Sequence, residues 1–446
     1  MRALVLLLLM VVSFLLVVKF YPAPSVVGAG EPDEPTEAED GQTGFLVRDE
    51  VVPSKPAPAP ADSPTAGREE PVPEAPRAST WPAENGIPDW LAKIDRRASL
   101  SEEELPVAQA LVHGTLADLH SALRIKGNLP PDRARMAEAF AVGIEDAKTG
   151  LEIATRIDET SLTAREKALL QAAIGGNPVV RPLEASEHGS PLVQAMEIRL
   201  ASLEAESLLA ARRFAEASRA ISDLLLAEVD APWPASPVFL ARWSKSLEEA
   251  QAHHRWNPEG SWPGVEMEVQ RGDSAVAIRK RFLAAHSGRI MSAGLILEAN
   301  AVRGHLQPGQ RLRIPTDPVL VLIDLSARWA LYFMGKEVTA AWPIGIGRPG
   351  EETPTGEYVA GTKLENPSWM RPGQEPIPFG DPRNPLGSRW IGWMRGEEAT
   401  SYGFHGTREP ESIGTPSSDG CVRFHDAAVE RLFEILPVGA RILVRD

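Results

Sequence analysis

Cys421 and His405 are the two residues of this chain whose types and spacing point most directly to chemistry. Cys421 is the one cysteine among 446 residues, and His405 stands sixteen positions before it. A thiol near neutral pH is a weak nucleophile unless a base takes its proton, and an imidazole is the usual base. The spacing alone is weak support, because nine histidines make chance pairs easy. A cysteine without a disulfide partner is better explained by reactivity than by packing as a small apolar residue.

The residues around this pair narrow the chemistry. His405 stands in YGFHGT and Cys421 stands in SSDGCVRF. Together these stretches resemble the HGT and SxGCxR active-site signature of the L,D-transpeptidases of the YkuD fold. The resemblance extends upstream through IGIGRPGEETPTGEY, ENPSW and NPLGSRW, which stand in that family's usual order. It covers residues 318–446 and implies that they form a β-rich catalytic domain.

The resemblance also implies a mechanism. Cys421 would attack the carbonyl between the third, L-centred residue of a tetrapeptide stem and its terminal D-alanine, and an amine from a neighbouring stem would resolve the acyl-enzyme. His405 would deprotonate the thiol and then protonate the leaving amine. The backbone carbonyl of Gly406 would orient the imidazole, and the amides of Gly420 and Cys421 would stabilise the oxyanion. Glycine at position 420 permits the close approach and the tight turn that this requires.

Three neighbouring residues, Arg423, Tyr402 and Ser418, are candidates for binding the substrate. Arg423 can position a substrate carboxylate or brace the catalytic loop through an ion pair, and both interpretations stay open. Tyr402 matches a tyrosine that is frequent in the family's substrate pocket, and it can equally be a core residue. Ser418 can bond near the thiolate or close the turn. Asp419 replaces a histidine of many relatives; because an inward carboxylate would raise the thiol pKa, we expect it to point outward.

Composition excludes some classes of partner and cofactor. The chain has 46 basic and 61 acidic residues, for a formal charge of −15, which argues against a nucleic-acid partner. The acidity is concentrated in residues 31–77, which hold 12 acidic and 4 basic residues. No cluster of histidines and carboxylates has metal-ligand spacing, so we expect neither a metal nor another cofactor.

The elements that must position the pair form the C-terminal part of the chain. From 318 to 446, apolar residues alternate with period two between glycines and prolines, which predicts β-hairpins. Residues 265–316 resemble a LysM module, with a strand ending in a Gly-Asp-Ser turn, two short helices and a final strand entered through Pro-Gly-Gln. LysM modules bind glycans that contain N-acetylglucosamine. The connection Leu283–Met291 is longer than usual for LysM, so a glycan-binding module and a purely structural one are both open.

The N-terminal part is predicted to anchor and space this domain. Residues 1–20 hold a continuous apolar run after Arg2, which is typical of a signal anchor or signal peptide. Residues 21–86 are rich in proline and acidic residues, which predicts a disordered linker. Residues 87–258 place apolar residues at helical spacing, which predicts an all-α region with a loose similarity to tetratricopeptide repeats. Capping-box spacing at two sites, Ser101 with Glu104 and Thr163 with Glu166, indicates helix starts.

These features predict a multidomain protein of the cell envelope. The leading hypothesis is an exported peptidoglycan L,D-transpeptidase, located in the periplasm or outside the cytoplasm and held by one N-terminal membrane segment. The LysM-like module would hold glycan strands, and the helical region would be a spacer or would bind a protein partner. Two alternatives stay open. An L,D-carboxypeptidase would result if water resolved the acyl-enzyme, and a non-catalytic wall-binding scaffold would use only the other domains.

Overall fold

The computed structural model describes residues 103–125, 129–176, 190–370 and 375–446. The predicted membrane segment, 1–20, and the predicted linker, 21–86, lie outside the described residues. Within the described residues, no helix is both long enough and apolar enough to cross a membrane.

The first part of the described chain is all-α, as the apolar periodicity predicts. Its helices are α1 (Leu105–His113), α2 (Leu116–Leu123), α3 (Pro131–Glu145), α4 (Ala147–Ala154), α5 (Ala164–Gly175), α6 (Pro191–Ala210), α7 (Phe214–Val229) and α8 (Pro237–His253). Three of them begin with proline, which has no amide hydrogen to leave unbonded at that position. At α5, Thr163 and Glu166 each accept a hydrogen bond from the other's amide, so the predicted capping box is confirmed there.

A buried ionic cluster connects three of these helices and corrects the other predicted cap. Ser101 lies outside the described residues, and Glu104 is the N-cap residue of α1 instead of its third residue, without a side-chain cap. The guanidinium of Arg133 bonds the carboxylates of both Glu104 and Glu166, each of which is 4% exposed. Because removing one member would leave a buried charge unpaired, this cluster constrains how α1, α3 and α5 pack.

A small module follows the helical region. It consists of β1 (Gly264–Glu268), α9 (Ala275–Ala285), α10 (Ala293–Ala299) and β2 (Arg311–Pro315). The two strands pair antiparallel, with Gly264 opposite Pro315. The elements follow the order that the sequence predicts, whereas the LysM identity of this βααβ module stays a prediction.

The rest of the chain builds one large sheet. Its strands are β3 (Val319–Asp324), β4 (Trp329–Met334), β5 (Glu337–Pro343), β7 (Gly356–Glu365), β8 (Arg389–Arg395), β9 (Glu398–His405), β11 (Val422–Arg423) and β12 (Arg441–Arg445), and the short β6 (Ile346–Gly347) pairs with β10 (Pro416–Ser418). The order across the large sheet is β11-β9-β8-β7-β12-β3-β4-β5. Neighbours are antiparallel except β12 with β3 and β11 with β9. Helix α11 (Asp426–Ile435) connects β11 to β12. The predicted β-rich C-terminal domain is confirmed.

The centre of this sheet is covered on both faces, which differs from the period-two pattern expected for its strands. Every residue of β3 and β4 is buried. Leu320 and Leu322 pack with the helical region, whereas Val321 and Ile323 belong to the core that includes residues of α11. Strands covered on both sides are apolar at nearly every position. The sheet is therefore the middle layer between the helical region and α11.

Helices α7 and α8 cover the edge strand β5. The hydroxyl of Ser222 accepts a hydrogen bond from the amide of Val338 at 2.8 Å, and the hydroxyl of Ser244 donates to the carbonyl of Ala341 at 2.6 Å. An uncovered edge strand presents unpaired backbone groups that invite pairing with other chains. The helical region removes this edge from solvent.

Helix α11 contacts all three parts of the described chain. Its Arg431 forms ion pairs with Glu248 of α8 at 3.1 Å and with Glu298 of α10 at 3.3 Å. A β-carbon on Gly294 of α10 would stand 2.5 Å from the carbonyl oxygen of Glu434, so this close helix contact requires glycine. The opposite end of α11, at Asp426, adjoins the loop after His405.

Candidate active site

The pairing of β11 with β9 brings the stretches of chain that carry Cys421 and His405 side by side. These strands run parallel, with Val422 opposite Phe404. Cys421, one residue before β11, is therefore level with Gly403, two residues before His405. Because side chains alternate between the two faces of a strand, we expect the side chains of Cys421 and His405 on the same face of two strands that lie roughly 4.8 Å apart. Arg423 is the residue directly opposite His405, so Cys421 is offset from His405 by two residues along the strand. Phe404 and Val422 point to the opposite face, into the core.

His405 is held in one orientation and is shielded from solvent. Its Nδ1 lies 2.6 Å from the carbonyl oxygen of Gly406, as the family resemblance implies. A carbonyl only accepts, so Nδ1 carries the hydrogen and Nε2 is left as the basic nitrogen. The residue is 3% exposed, and burial lowers the pKa of the imidazole to about 4. His405 is therefore neutral at pH 7 and able to accept a proton.

The thiol of Cys421 lies in a recess and is protonated at neutral pH. The sulfur is 3.7 Å from the carbonyl oxygen of Ser401, and the residue keeps an intermediate exposure. Burial raises the pKa of the thiol to about 11, because little water can solvate a thiolate there. The amide of Gly403 and the charge of Arg423 act in the opposite direction, and Asp419 adds to the rise. In the resting site both the thiol and the imidazole are therefore neutral.

Ser418 closes the turn that presents Cys421. Its side chain is 1% exposed, and its hydroxyl donates to the carbonyl of Cys421 at 2.6 Å. The same hydroxyl accepts from the amide of Gly420 at 3.2 Å. Both bonds lie within the loop, so the geometry favours the turn-closing interpretation over the predicted contact with substrate.

These bonds also change the predicted oxyanion site. The amide of Gly420 is already bonded to Ser418, whereas the amide of Cys421 bonds no atom of the described residues. The backbone of Gly420 has φ +101°, a region that glycine adopts without strain. The resting structure therefore offers one free amide at this position, and the amide of Gly420 becomes available only if Ser418 releases it.

Tyr402 and Arg423 are already engaged by the protein. A carbon of the Tyr402 ring lies 2.8 Å from where a β-carbon of Gly420 would stand, and the ring packs against the core. These contacts agree with the core interpretation of Tyr402, whose ring also supports the loop at Gly420, and a role in the substrate pocket stays a prediction. Arg423 is 12% exposed and pairs with Glu409 at 3.2 Å, so the loop-bracing interpretation of this arginine is the one realised in the resting structure.

Asp419 points away from the thiol, as expected. Its carboxylate pairs with Arg348 at 2.5 Å, and the two side chains are 57% and 52% exposed. The backbone of Arg348 also bonds the same loop, its amide donating to the carbonyl of Ser418 at 2.9 Å. Asp419, which differs from the histidine of many relatives, therefore lies at the rim of the site.

Sequence reasoning missed Asp426 and Trp390. The carboxylate of Asp426 accepts from the amide of Thr407 at 3.1 Å and bounds the loop that carries Gly406. The indole of Trp390 lies beside the imidazole of His405, with ring centroids 6.1 Å apart and planes 21° apart. No helix was predicted around residue 426, so no signal marked Asp426. Trp390 ends the NPLGSRW stretch that the family resemblance includes, but the sequence alone assigned it no role.

Among the described residues, no group of histidine, cysteine, aspartate and glutamate side chains could hold a metal ion. What the site offers is a thiol, a neutral imidazole with its tautomer fixed and a backbone amide that bonds no atom of the described residues. These are the kinds of group that acyl transfer through a thioester requires.

Comparison with known proteins gives the family. Residues 318–444 match the L,D-transpeptidase catalytic domain called YkuD. Bacillus subtilis YqjB, which carries the name of an L,D-transpeptidase, is 36% identical over 134 residues, covering 30% of this chain and 74% of that protein. YkuD of the same organism is 28% identical over 183 residues, covering 40% of this chain and 96% of that protein. The similarity to the structure of an L,D-transpeptidase from Mycobacterium smegmatis covers 31% of this chain and 64% of that protein's chain. The sequence identity is 22% and the TM-score is 0.24. This chain belongs to the L,D-transpeptidase family.

Proposed function

We propose that this protein is a peptidoglycan L,D-transpeptidase in which Cys421 is the nucleophile and His405 is the general base and acid. The observation that supports the proposal is the β9–β11 register, which brings the stretches of chain that carry Cys421 and His405 side by side, together with the hydrogen bond that fixes Nδ1 of His405 on the carbonyl of Gly406. The YkuD match and the relatives named as L,D-transpeptidases support the stem peptide of peptidoglycan as the substrate.

In the first half of the reaction, the sulfur of Cys421 attacks the carbonyl carbon that precedes the terminal D-alanine. The thiol proton passes to Nε2 of His405 as the carbon–sulfur bond forms, and the amide of Cys421 stabilises the oxyanion. The carbon–nitrogen bond to D-alanine then breaks, and the imidazolium returns its proton to the leaving amine. The product is a thioester between the stem and Cys421.

In the second half, an amine of another stem attacks the thioester. A carbon–nitrogen bond forms, the carbon–sulfur bond breaks, and the amine proton reaches the departing thiolate through His405. Burial raises the pKa of the thiol to about 11 and lowers the pKa of the imidazole to about 4, so both groups are neutral in the free protein. Proton transfer from the thiol to the imidazole would therefore accompany formation of the carbon–sulfur bond.

The location and the other domains belong to the same proposal. The apolar run in residues 1–20 and the linker in 21–86 support export and membrane tethering in the cell envelope. The βααβ module would hold a glycan strand near the catalytic domain, since its element order fits a LysM module. The helical region would be the site for a protein partner.

The test is mass spectrometry of tetrapeptide-stem muropeptides incubated with the full-length protein and with Cys421→Ala. Crosslinked dimers and released D-alanine that depend on Cys421 are the expected result. Tripeptide without dimers would make the protein an L,D-carboxypeptidase. Unchanged substrate with both proteins would contradict catalysis and favour a wall-binding scaffold. Labelling of the thiol is a poorer test, because a resting thiol with a pKa of about 11 reacts slowly even in an active enzyme.

A further inference from the structure

The side chain of Trp390 lies over the sheet beside the candidate base, His405. Trp390 is the cross-strand partner of His405, so both side chains point to the face that carries Cys421. Two atoms of its six-membered ring, Cη2 and Cζ2, lie 2.7 and 2.8 Å from where a β-carbon of Gly403 would stand. Its Nε1 lies 3.2 Å from the same position on Gly392. The indole thus extends over two glycines.

These two glycines make the position of the indole possible. Gly392 and Gly403 are opposite each other on β8 and β9. A β-carbon on Gly403 would come closer to the ring than non-bonded carbons approach, so any larger residue there would displace Trp390. The sequence therefore provides both the large aromatic side chain and two residues without side chains beneath it.

The strand register also gives an estimate of the distance from the indole to the chain at Cys421. Cys421 is level with Gly403, so the six-membered ring of Trp390 stands about one strand spacing, roughly 4.8 Å, from the backbone at Cys421. Trp390 itself is partly exposed, whereas His405 is 3% exposed. The indole therefore separates the imidazole and the reaction centre from solvent on the β8 side.

We propose that Trp390 is a specificity-determining residue that selects an amine over water as the acceptor. The inference rests on the proposed function and adds the basis of its acceptor choice. Attack by either acceptor breaks the same carbon–sulfur bond and sends one acceptor proton through His405 to the thiolate; an amine forms a carbon–nitrogen bond and water a carbon–oxygen bond. Water can attack the thioester from any side that is open to solvent. The indole of Trp390 covers the side above Gly403 and so blocks this approach. Excluding water from a reactive intermediate prevents its hydrolysis.

The test compares full-length wild-type protein with Trp390→Ala, Trp390→Leu and Trp390→Phe on tetrapeptide-stem muropeptides. The measured quantity is the ratio of tripeptide to crosslinked dimer, compared between variants after equal amounts of D-alanine have been released. This ratio does not depend on the amount of folded enzyme. We expect Trp390→Ala to raise this ratio about 10-fold, within the range by which pocket changes alter selectivity. Trp390→Phe keeps an aromatic ring over Gly403 and should stay near wild type, with Trp390→Leu between them.

An unchanged ratio in Trp390→Ala and Trp390→Leu would overturn the inference. A second measurement tests the inference about Trp390 separately from the proposed function. It is the pH dependence of Cys421 alkylation, which needs no substrate. Removal of the indole should move the His405-dependent step of that profile towards pH 6.5, the ordinary histidine pKa. If wild-type protein forms no product, the proposed function and the acceptor role both fail, whereas the shielding of His405 is still decided by the alkylation profile.

Discussion

The carboxylate of Asp426 accepts a hydrogen bond from the amide of Thr407 at 3.1 Å, joining the first residue of α11 to the loop that follows His405. One of its oxygens is only 1.9 Å from where a β-carbon of Gly406 would stand. The carbonyl of Gly406 in turn holds the imidazole. Asp426 is therefore a positioning residue that acts on His405 through the backbone.

Asp426→Ala is expected to lower kcat for D-alanine release by about 10- to 100-fold, because small misplacements of a catalytic group have effects of this size. KM should change much less, since Asp426 lies behind the loop. Asp426→Asn keeps an oxygen acceptor and should retain most of the activity. Equal losses in the two variants would show that the charge matters and not the hydrogen bond to Thr407.

Gly420→Ala is expected to destabilise the protein more than Gly350→Ala does. Both glycines have positive φ, +101° and +90°, so alanine is strained at either site by roughly 1 kcal/mol or more. Only at Gly420 would the new methyl group also meet the ring of Tyr402; nothing lies within 4 Å at Gly350. Free energies of unfolding from urea denaturation measure the difference. Equal values would mean that Tyr402 does not support the loop.

Stability should depend on pH through His405. Its pKa is lowered from 6.5 to about 4 in the folded protein, so the unfolded chain binds a proton first as the pH falls. The contribution of this pKa shift to the free energy of unfolding is fully present above pH 6.5. It is lost as the pH falls towards 4, by about 3 kcal/mol in total. The stability difference between wild type and His405→Gln should shrink by this amount between pH 7 and pH 4. A constant difference would contradict the burial of a neutral imidazole.

Asp419→Asn should make Cys421 more reactive without changing stability. The Asp419–Arg348 pair is about half exposed, and such pairs contribute at most about 1 kcal/mol. Because the carboxylate raises the thiol pKa, its removal should lower that pKa and speed alkylation at pH 8 to 9. Cys421 is the one cysteine, so labelling reports it alone. Glu397→Gln, at the far end of the β8–β9 hairpin, is the control; an equal gain there would indicate a general charge effect.

The sequence by itself determined the chemistry of the site and the order of the parts. A nucleophile, a base and the glycines beside them stand within short stretches, and helical or alternating periodicity is a local property of the chain. For that reason the hydrogen bond between His405 and the carbonyl of Gly406 was predicted correctly, whereas the catalytic roles of Cys421 and His405 stay a prediction. The helical region, the βααβ order and the β-rich domain were also readable.

Only the tertiary structure decided how the remaining residues are used. Thr407 and Asp426 meet across nineteen residues, and Trp390 reaches Gly403 through the register of β8 and β9. The sequence left two roles open for Ser418, a bond near the thiolate and closure of the turn, and the hydrogen bonds of its hydroxyl within the loop favour the second. The position of a side chain in the sequence does not show which distant residue it contacts. Strand register and packing, which depend on the whole fold, decide that contact.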